Sequence, residues 1–210
     1  MNEKTVKWIQ LINKSAGAAM LIALGDYALL KLGNPIGPVI FAFGLLGVCY
    51  MGQNLFTGKC GFCICDKIPP LELAVILLAN LIAGYLCGLV FSFADADVMS
   101  AAAIKAAAWE ISAAFFIKSV LCGVIMYVAV YMYRQKTPLG IIFGIPLFIF
   151  CGFQHCIANI ITMGAARTFD ASIFVCIIGN FAGSLLMWAV SRDIKPAAVL
   201  KSDENKKGNA

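Results

Sequence analysis

Long apolar stretches dominate the chain and constrain its fold more than any other feature. Runs of apolar residues between charged residues, Pro and Gly give six segments, at about 11–32, 35–53, 71–93, 109–133, 138–166 and 171–190. Of the 210 residues, 61% are hydrophobic and 13% are charged, whereas soluble domains carry about 25% charged residues. A helix needs about 20 residues to cross the hydrocarbon of a bilayer. The sequence therefore predicts an all-α integral membrane protein with six transmembrane helices.

Basic residues are scattered at the segment ends, and their distribution predicts the orientation. Six crossings place both termini on one side, and that side holds most of the basic residues, which are Lys4, Lys7, Lys14, Lys59, Lys67, Arg134, Lys136, Arg192, Lys195 and the tail lysines. The opposite side holds Lys31, Lys105 and Arg167. Because cytoplasmic loops carry an excess of Lys and Arg, we expect a plasma (inner) membrane protein with both termini in the cytoplasm.

The same charge pattern bears on partners and domain organisation. The net charge of +5 is not gathered into a basic face, so no nucleic-acid partner is expected. The first apolar stretch is too long for a cleavable signal peptide, so the first helix is expected to be retained. We expect one membrane domain over residues 1–195 and a disordered cytoplasmic tail over 196–210, because the tail is polar and has no apolar face to bury.

Polar residues interrupt the second and fifth segments where a plain transmembrane helix should continue. The second segment runs into Gln53 to Lys59 (QNLFTGK), and the fifth contains Gly152 to Asn159 (GFQHCIAN). Lipid cannot satisfy polar side chains or non-helical backbone, so such stretches need an enclosing protein or a polar cavity. Each interruption lies in the middle segment of a three-segment half. We therefore expect an inverted 3+3 repeat in which Thr57 and His155 are counterparts.

The interruptions carry the candidate site residues. His155 is the sole histidine of the chain, and an imidazole beside a solute pathway can attract an anion and give it a proton. Its alternative role is that of a neutral histidine bonded between helices. Thr57 and Asn159 offer a hydroxyl and an amide that bind a small solute without a fixed charge, and their alternative role is hydrogen bonding between helices.

Four stretches together resemble the signature regions of a known family. They are Gly52 to Gly58 (GQNLFTG), Ser119 to Cys122 (SVLC), Phe148 to Asn159 (FIFCGFQHCIAN) and Ile178 to Gly183 (IGNFAG). Their order and spacing are similar to those of the formate/nitrite transporter family over about residues 15–192. The resemblance implies an aquaporin-like protomer with interrupted helices 2 and 5. It also implies a homopentamer that passes small monovalent anions such as formate, nitrite, hydrosulfide or a short carboxylate.

The resemblance also assigns roles to individual residues. His155 matches the central pore histidine, Thr57 the threonine of the interrupted second helix, and Asn159 the asparagine one turn beyond the histidine. The apolar constrictions on either side match Phe41, Leu45, Leu55, Phe56 and Phe148. From the residues alone, these five positions are equally consistent with core packing.

This chain departs from the family pattern at three positions. Gln154 replaces the Glu that usually precedes the histidine, which removes a carboxylate. Gly123 stands where the fourth helix commonly has Asn, which removes a polar partner. Lys105 lies about two residues from the position of the family's entrance lysine, where we expect it to attract the anion.

The energetics favour passage of the solute as a neutral acid. A bare anion in a low-dielectric constriction costs several kcal/mol, on the order of the penalty for any unpaired buried charge. We expect the anion to take a proton from His155, or from water relayed there, and to cross between the apolar constrictions. The chain is thus expected to be a transporter of anions and protons and not an enzyme, with no cofactor and no metal.

Two other classes of function are left open by the sequence. Cys60, Cys63 and Cys65 combine a C-x-x-C and a C-x-C pattern near a membrane boundary, which is found in thiol redox proteins. The expected cytoplasmic position favours simple packing instead. A channel for neutral solutes of the aquaporin type is the second alternative, and the absence of the Asn-Pro-Ala pair of such channels argues against it.

Overall fold

The computed structural model describes residues 2–192, and the secondary structure of this part of the chain is entirely helical. The helices are α1 (Glu3–Leu32), α2 (Ile36–Tyr50), α3 (Phe56–Lys59), α4 (Pro70–Ala94), α5 (Ala96–Ala107), α6 (Ala113–Arg134), α7 (Leu139–Phe150), α8 (Cys156–Ala165) and α9 (Ser172–Ser191), with a 3₁₀ turn at Cys60–Phe62. The tail predicted to be disordered, 196–210, lies outside the described residues, as does Lys195.

Helix length separates two kinds of element. Within the described residues, α1, α4, α6 and α9 are each long and apolar enough to cross a membrane. The apolar helices α2, α7 and α8 are shorter, and α3 is a single turn. The expected interruption of the second and fifth segments is therefore confirmed, as is the all-α membrane class.

A glycine ends the first helix of each interrupted segment. Gly52 and Gly152 adopt positive φ angles of 61° and 67°, a conformation that glycine adopts readily because it has no Cβ. The next backbone N–H then turns back to the last helical turn, with Gln53 donating to Val48 O and Phe153 donating to Phe148 O, both at 2.9 Å. This is the Schellman arrangement, and it ends α2 and α7 at equivalent points.

The connection before the fourth predicted segment differs from the sequence expectation. That segment was predicted at about 109–133, but the chain first forms the separate helix α5 and begins α6 only at Ala113. Asp95 starts α5 by accepting hydrogen bonds from the backbone of Asp97 and Val98. Alanine favours helix while burying little surface, so α5 lacks the apolar periodicity that the prediction depended on.

Each interrupted segment packs on helices from both halves of the chain. α1 contacts α2 and α4, α6 contacts α7 and α9, and α8 packs on α4. The turn at Cys60–Phe62 packs on α9. The outer face of α4 is apolar and more than half exposed at Leu78, Ile82, Leu86 and Val90, as expected for a surface that faces lipid.

Gly123 allows α6 and α9 to approach closely. A Cβ at Gly123 would overlap the carbonyl oxygen of Asn180, and the Gly123 carbonyl accepts a hydrogen bond from Ser184 Oγ at 3.0 Å. The absence of a side chain at this position therefore serves helix packing.

Candidate functional site

The two interruptions meet at a hydrogen bond between Thr57 and His155. Thr57 Oγ1 lies 2.8 Å from His155 Nε2, although the residues are 98 positions apart. Both side chains are buried, with 1% and 2% exposure. Thr57 lies in the first turn of α3, and His155 is the residue that caps the N-terminus of α8. The structure thus brings the predicted pair together.

The hydrogen bonds of His155 define its tautomer. The backbone N–H of Ala158 donates to Nδ1 at 3.1 Å, so Nδ1 holds a lone pair. The ring proton of the neutral imidazole is therefore on Nε2, where it can donate to Thr57 Oγ1. Thr57 is then free to donate its own hydroxyl proton. A charged imidazolium would need a proton on Nδ1 and would lose the bond to Ala158.

Two buried asparagines hold the interruptions in place. Asn180 accepts from the backbone N–H of Cys156 at 2.8 Å and donates to the carbonyls of Gln154 (2.7 Å) and Ser119 (2.8 Å). Asn80 makes the matching set with Phe56 N–H, Asn54 O and Ser15 O, at 2.8, 3.0 and 2.7 Å. In a span without water these side chains satisfy backbone groups that the helix breaks leave open.

This pattern corrects one sequence expectation. The capping asparagine lies 24 residues after Phe56 in one segment and 24 residues after Cys156 in the other. The counterpart of His155 is therefore Leu55, the residue just before Phe56, and not Thr57. Thr57 and His155 meet because the two interruptions face each other, so the bond joins positions that are not equivalent.

A cavity of about 340 Å³ lies on one side of the Thr57–His155 contact, and we name it the histidine cavity. Its lining combines cations, amides and aromatic rings, and includes Phe41, Lys105, Trp109, Lys118, Phe148, Phe153, Gln154, His155 and Asn159. It thus unites most of the predicted pathway residues with two lysines, which give it a positive charge suited to an anion.

A second cavity, of about 150 Å³, is named the leucine cavity. It contains Leu45 and Leu55 together with Val48, Cys49, Gln53, Lys59, Tyr133 and Arg134. Arg134 pairs with Asp66 through two hydrogen bonds of 2.6 and 3.0 Å, and this pairing lowers the pKa of Asp66.

Aromatic rings lie beside His155 at the histidine cavity. Phe41 and Leu45 occupy successive turns of α2 but line different cavities. The rings of Phe41 and Phe148 meet edge to face with centroids 6.0 Å apart, and Phe148 lies 5.8 Å from the His155 ring. Phe56 is buried differently, since its ring stacks on Phe181 at 6.4 Å.

Gln154 uses both ends of its amide. Its Oε1 accepts from Asn159 Nδ2 at 3.0 Å, and its Nε2 donates to the carbonyl of Gly152 at 3.0 Å. A carboxylate at this position would keep the first bond and lose the second, because it has no donor. Gln154 therefore orients Asn159 in the cavity and braces the turn at Gly152.

Sequence reasoning missed several residues of this site. It did not single out Asn80, Asn180 or Lys118, and it overlooked Asp26, which forms an ion pair with Lys105. The available signal was a polar side chain within an apolar segment, as at Asp26, Asn80 and Asn180. The structure buries all three side chains fully. Such residues in a membrane span are functional candidates by default.

The cysteines of the C-x-x-C and C-x-C patterns differ in burial. All nine cysteines of the chain are free. Cys60 is fully buried and donates to Thr57 O at 3.7 Å, whereas Cys65 is exposed. No group of three or more His, Cys, Asp and Glu able to hold a metal occurs in residues 2–192.

A multi-pass helical protein with interrupted helices that meet between two cavities has the architecture of a membrane transport protein. A sequence model described as formate/nitrite transporter matches residues 1–173. The chain therefore belongs to the formate/nitrite transporter family, which confirms the resemblance seen in the four stretches. A comparison with curated proteins finds no significant match.

Two solved structures share the fold. One, described as an "FNT family ion channel", has a TM-score of 0.68 and 22% identity, and the match covers 87% of this chain and 86% of that chain. The other, a "Pentameric formate channel with formate bound", has a TM-score of 0.66 and 16% identity, with 90% and 95% covered.

Proposed function

We propose that this protein is a channel for small monovalent anions of the formate and nitrite class, and that each anion crosses together with one proton as the neutral acid. Membership of the formate/nitrite transporter family supports an anion as the solute. The observation that carries the mechanism is the hydrogen bond between Thr57 and His155, because it places a neutral donor between two cavities.

The proposed architecture is the one expected from the sequence. Six crossings would be made by α1, by α2 with α3, by α4, by α6, by α7 with α8, and by α9. The matching bonds of Asn80 and Asn180 support an inverted 3+3 repeat. A structural neighbour is a pentamer, which supports a homopentamer of this chain. The orientation with both termini in the cytoplasm of the plasma membrane rests on the distribution of Lys and Arg.

The proposed pathway begins in the histidine cavity. Lys105 and Lys118 attract the anion there. As the anion moves toward Phe41 and Phe148 it loses water, and a low dielectric disfavours the charged form. The anion then takes a proton that cavity water relays from the bulk solution, and the resulting acid carries no charge across the apolar section toward Leu45 and Leu55.

In this scheme His155 keeps its Nε2 proton and uses it in the hydrogen bond to Thr57 Oγ1. A neutral imidazole that gave up its Nε2 proton would become an imidazolate unless Nδ1 gained a proton at the same time. Nδ1 accepts from Ala158 N–H, so that exchange would break the cap of α8. The sequence allows two proton sources, His155 and water relayed to it, and we therefore propose that the proton comes through water. Gradients of anion and proton determine the direction.

Uptake into proteoliposomes tests the proposal. Labelled formate and nitrite should enter faster when the outside is more acidic, without a change in membrane potential. Thr57→Val removes the bond to His155 and should slow uptake about tenfold, the equivalent of one hydrogen bond of about 1.4 kcal/mol. Thr57→Ser keeps the hydroxyl and is the matched control.

Further arms separate the alternatives. His155→Asn keeps a donor and an acceptor but cannot titrate. Uptake by this variant should keep its pH dependence, because the proposed proton does not come from His155. A flat pH profile would instead identify His155 as the proton donor. Swelling in glycerol without formate uptake would indicate a channel for neutral solutes. Loss of uptake in Cys63→Ser, coupled to quinone reduction in the wild type, would indicate the thiol redox class.

A further inference from the structure

Asp26 is a fully buried carboxylate in the C-terminal part of the helix α1. Its Oδ1 lies 3.3 Å from Lys105 Nζ, and its Oδ2 accepts a hydrogen bond from Thr162 Oγ1 at 2.9 Å. Lys105 Nζ also donates to Thr162 Oγ1 at 3.2 Å. The three side chains form a closed triangle that links α1, α5 and α8.

The triangle reaches the solute pathway through one member only. Lys105 lines the histidine cavity, and its side chain is 34% exposed, whereas that of Asp26 is 0% exposed. The ammonium therefore lies between a buried carboxylate and the space in which an anion would collect. An anion in the cavity and Asp26 are competitors for the same positive charge.

We propose that Asp26 is a positioning residue that holds the Lys105 ammonium at the histidine cavity and lowers the affinity of this ammonium for the anion. The proposal rests on the proposed anion transport. A channel must bind its solute well enough to admit it and weakly enough to release it. A lysine with no counter-charge in a low-dielectric cavity would retain the anion. Asp26 prevents this because its negative charge partly neutralises the ammonium of Lys105.

The cost of burying Asp26 supports a role beyond packing. Even a paired carboxylate loses its hydration in a membrane span, and an apolar residue of similar size would avoid that cost. Lys118, the other lysine of the cavity, makes no ion pair within residues 2–192. It provides a natural comparison, because its charge should act on the anion without involving Asp26.

The test measures KM and maximal rate of formate uptake in proteoliposomes. Asp26→Asn should lower KM about tenfold and lower the maximal rate by a similar factor, because a full charge at the cavity holds the anion longer. Lys105→Gln should raise KM about tenfold. In the Lys105→Gln background, Asp26→Asn should no longer reduce the maximal rate, because position 105 has no ammonium that could bind the anion more tightly when Asp26 is neutralised.

Lys118→Gln provides the matched control. In that background Asp26→Asn should still lower both KM and maximal rate. A purely structural role for Asp26 predicts a lower maximal rate in every background without a lower KM, and that result would overturn the proposal. If Asp26→Asn fails to assemble in detergent, an unchanged KM in Lys105→Gln would overturn it as well. Absence of formate and nitrite uptake by the wild type would instead contradict the proposed function.

Discussion

Asn180 offers the sharpest test of how the interruption beside His155 is built. Its amide donates to two carbonyl oxygens and accepts from one backbone N–H, and the side chain is fully buried. Asn180→Asp has nearly the same shape, so it changes donors and acceptors without opening a cavity. The carboxylate can still accept from Cys156 N–H, but it faces the carbonyls of Gln154 and Ser119 without a proton to donate.

The expected loss follows from the number of groups left unpaired. Two buried carbonyls lose their donors, and each such group costs about 1–3 kcal/mol. The total is about 2–6 kcal/mol. Protonation of the new carboxyl would restore at most one of the two bonds. For a chain of this size, 1 kcal/mol corresponds to about 2–4 °C in melting temperature, so we expect a fall of at least about 4 °C.

Thermal unfolding of the purified protein in detergent, followed by tryptophan fluorescence, measures this loss. Asn80→Asp should lose a comparable amount, because Asn80 makes the same three kinds of bond at the other interruption. Ser191→Ala, at an exposed position, should stay within about 0.5 kcal/mol of the wild type. A melting temperature for Asn180→Asp within about 1 °C of the wild type would refute the reasoning that these bonds hold the interruption.

Two further predictions concern packing and pH. Gly123→Ala should cost about 1–3 kcal/mol, because the added methyl group would overlap the carbonyl oxygen of Asn180, whereas Gly58→Ala meets its nearest neighbour at 3.5 Å and should be tolerated. The same melting assay compares them, and equal stability of the two variants would contradict the packing argument. The ion pair with Lys31 lowers the pKa of Asp95 to about 2, so the stabilisation exists above the ordinary carboxyl pKa and disappears as the pH falls from about 4 to about 2. Asp95→Asn should therefore melt below the wild type at pH 7 and converge with it at about pH 2, and a constant difference across this range would exclude the ion pair as its cause.

The helix breaks and the candidate histidine were predictable because their signals are local. Gly52 and Gly152 each follow an apolar run and precede polar residues, and this order already predicts an interrupted span. The helix α5 was not predictable by the same criterion. Its alanines carry no apolar periodicity, and the cap at Asp95 is a single residue that does not stand out in a sequence.

The pairing of side chains across the molecule was only partly predictable. The two interruptions do meet at Thr57 and His155. The prediction that these residues are counterparts was wrong, since the hydrogen bonds of Asn80 and Asn180 make Leu55 the residue that matches His155. A one-dimensional pattern can align two segments but does not state the register at which they meet.

By itself, the sequence determined that this is a multi-pass helical membrane protein with two interrupted segments and one histidine, because apolar length and glycine turns act within a few residues of chain. Only the tertiary structure decided which polar groups satisfy one another. Thr57 reaches His155 across 98 positions, and Thr162 reaches Asp26 across 136. In a span without water every buried polar group needs a partner from the protein, and helix packing alone determines which partner is within reach.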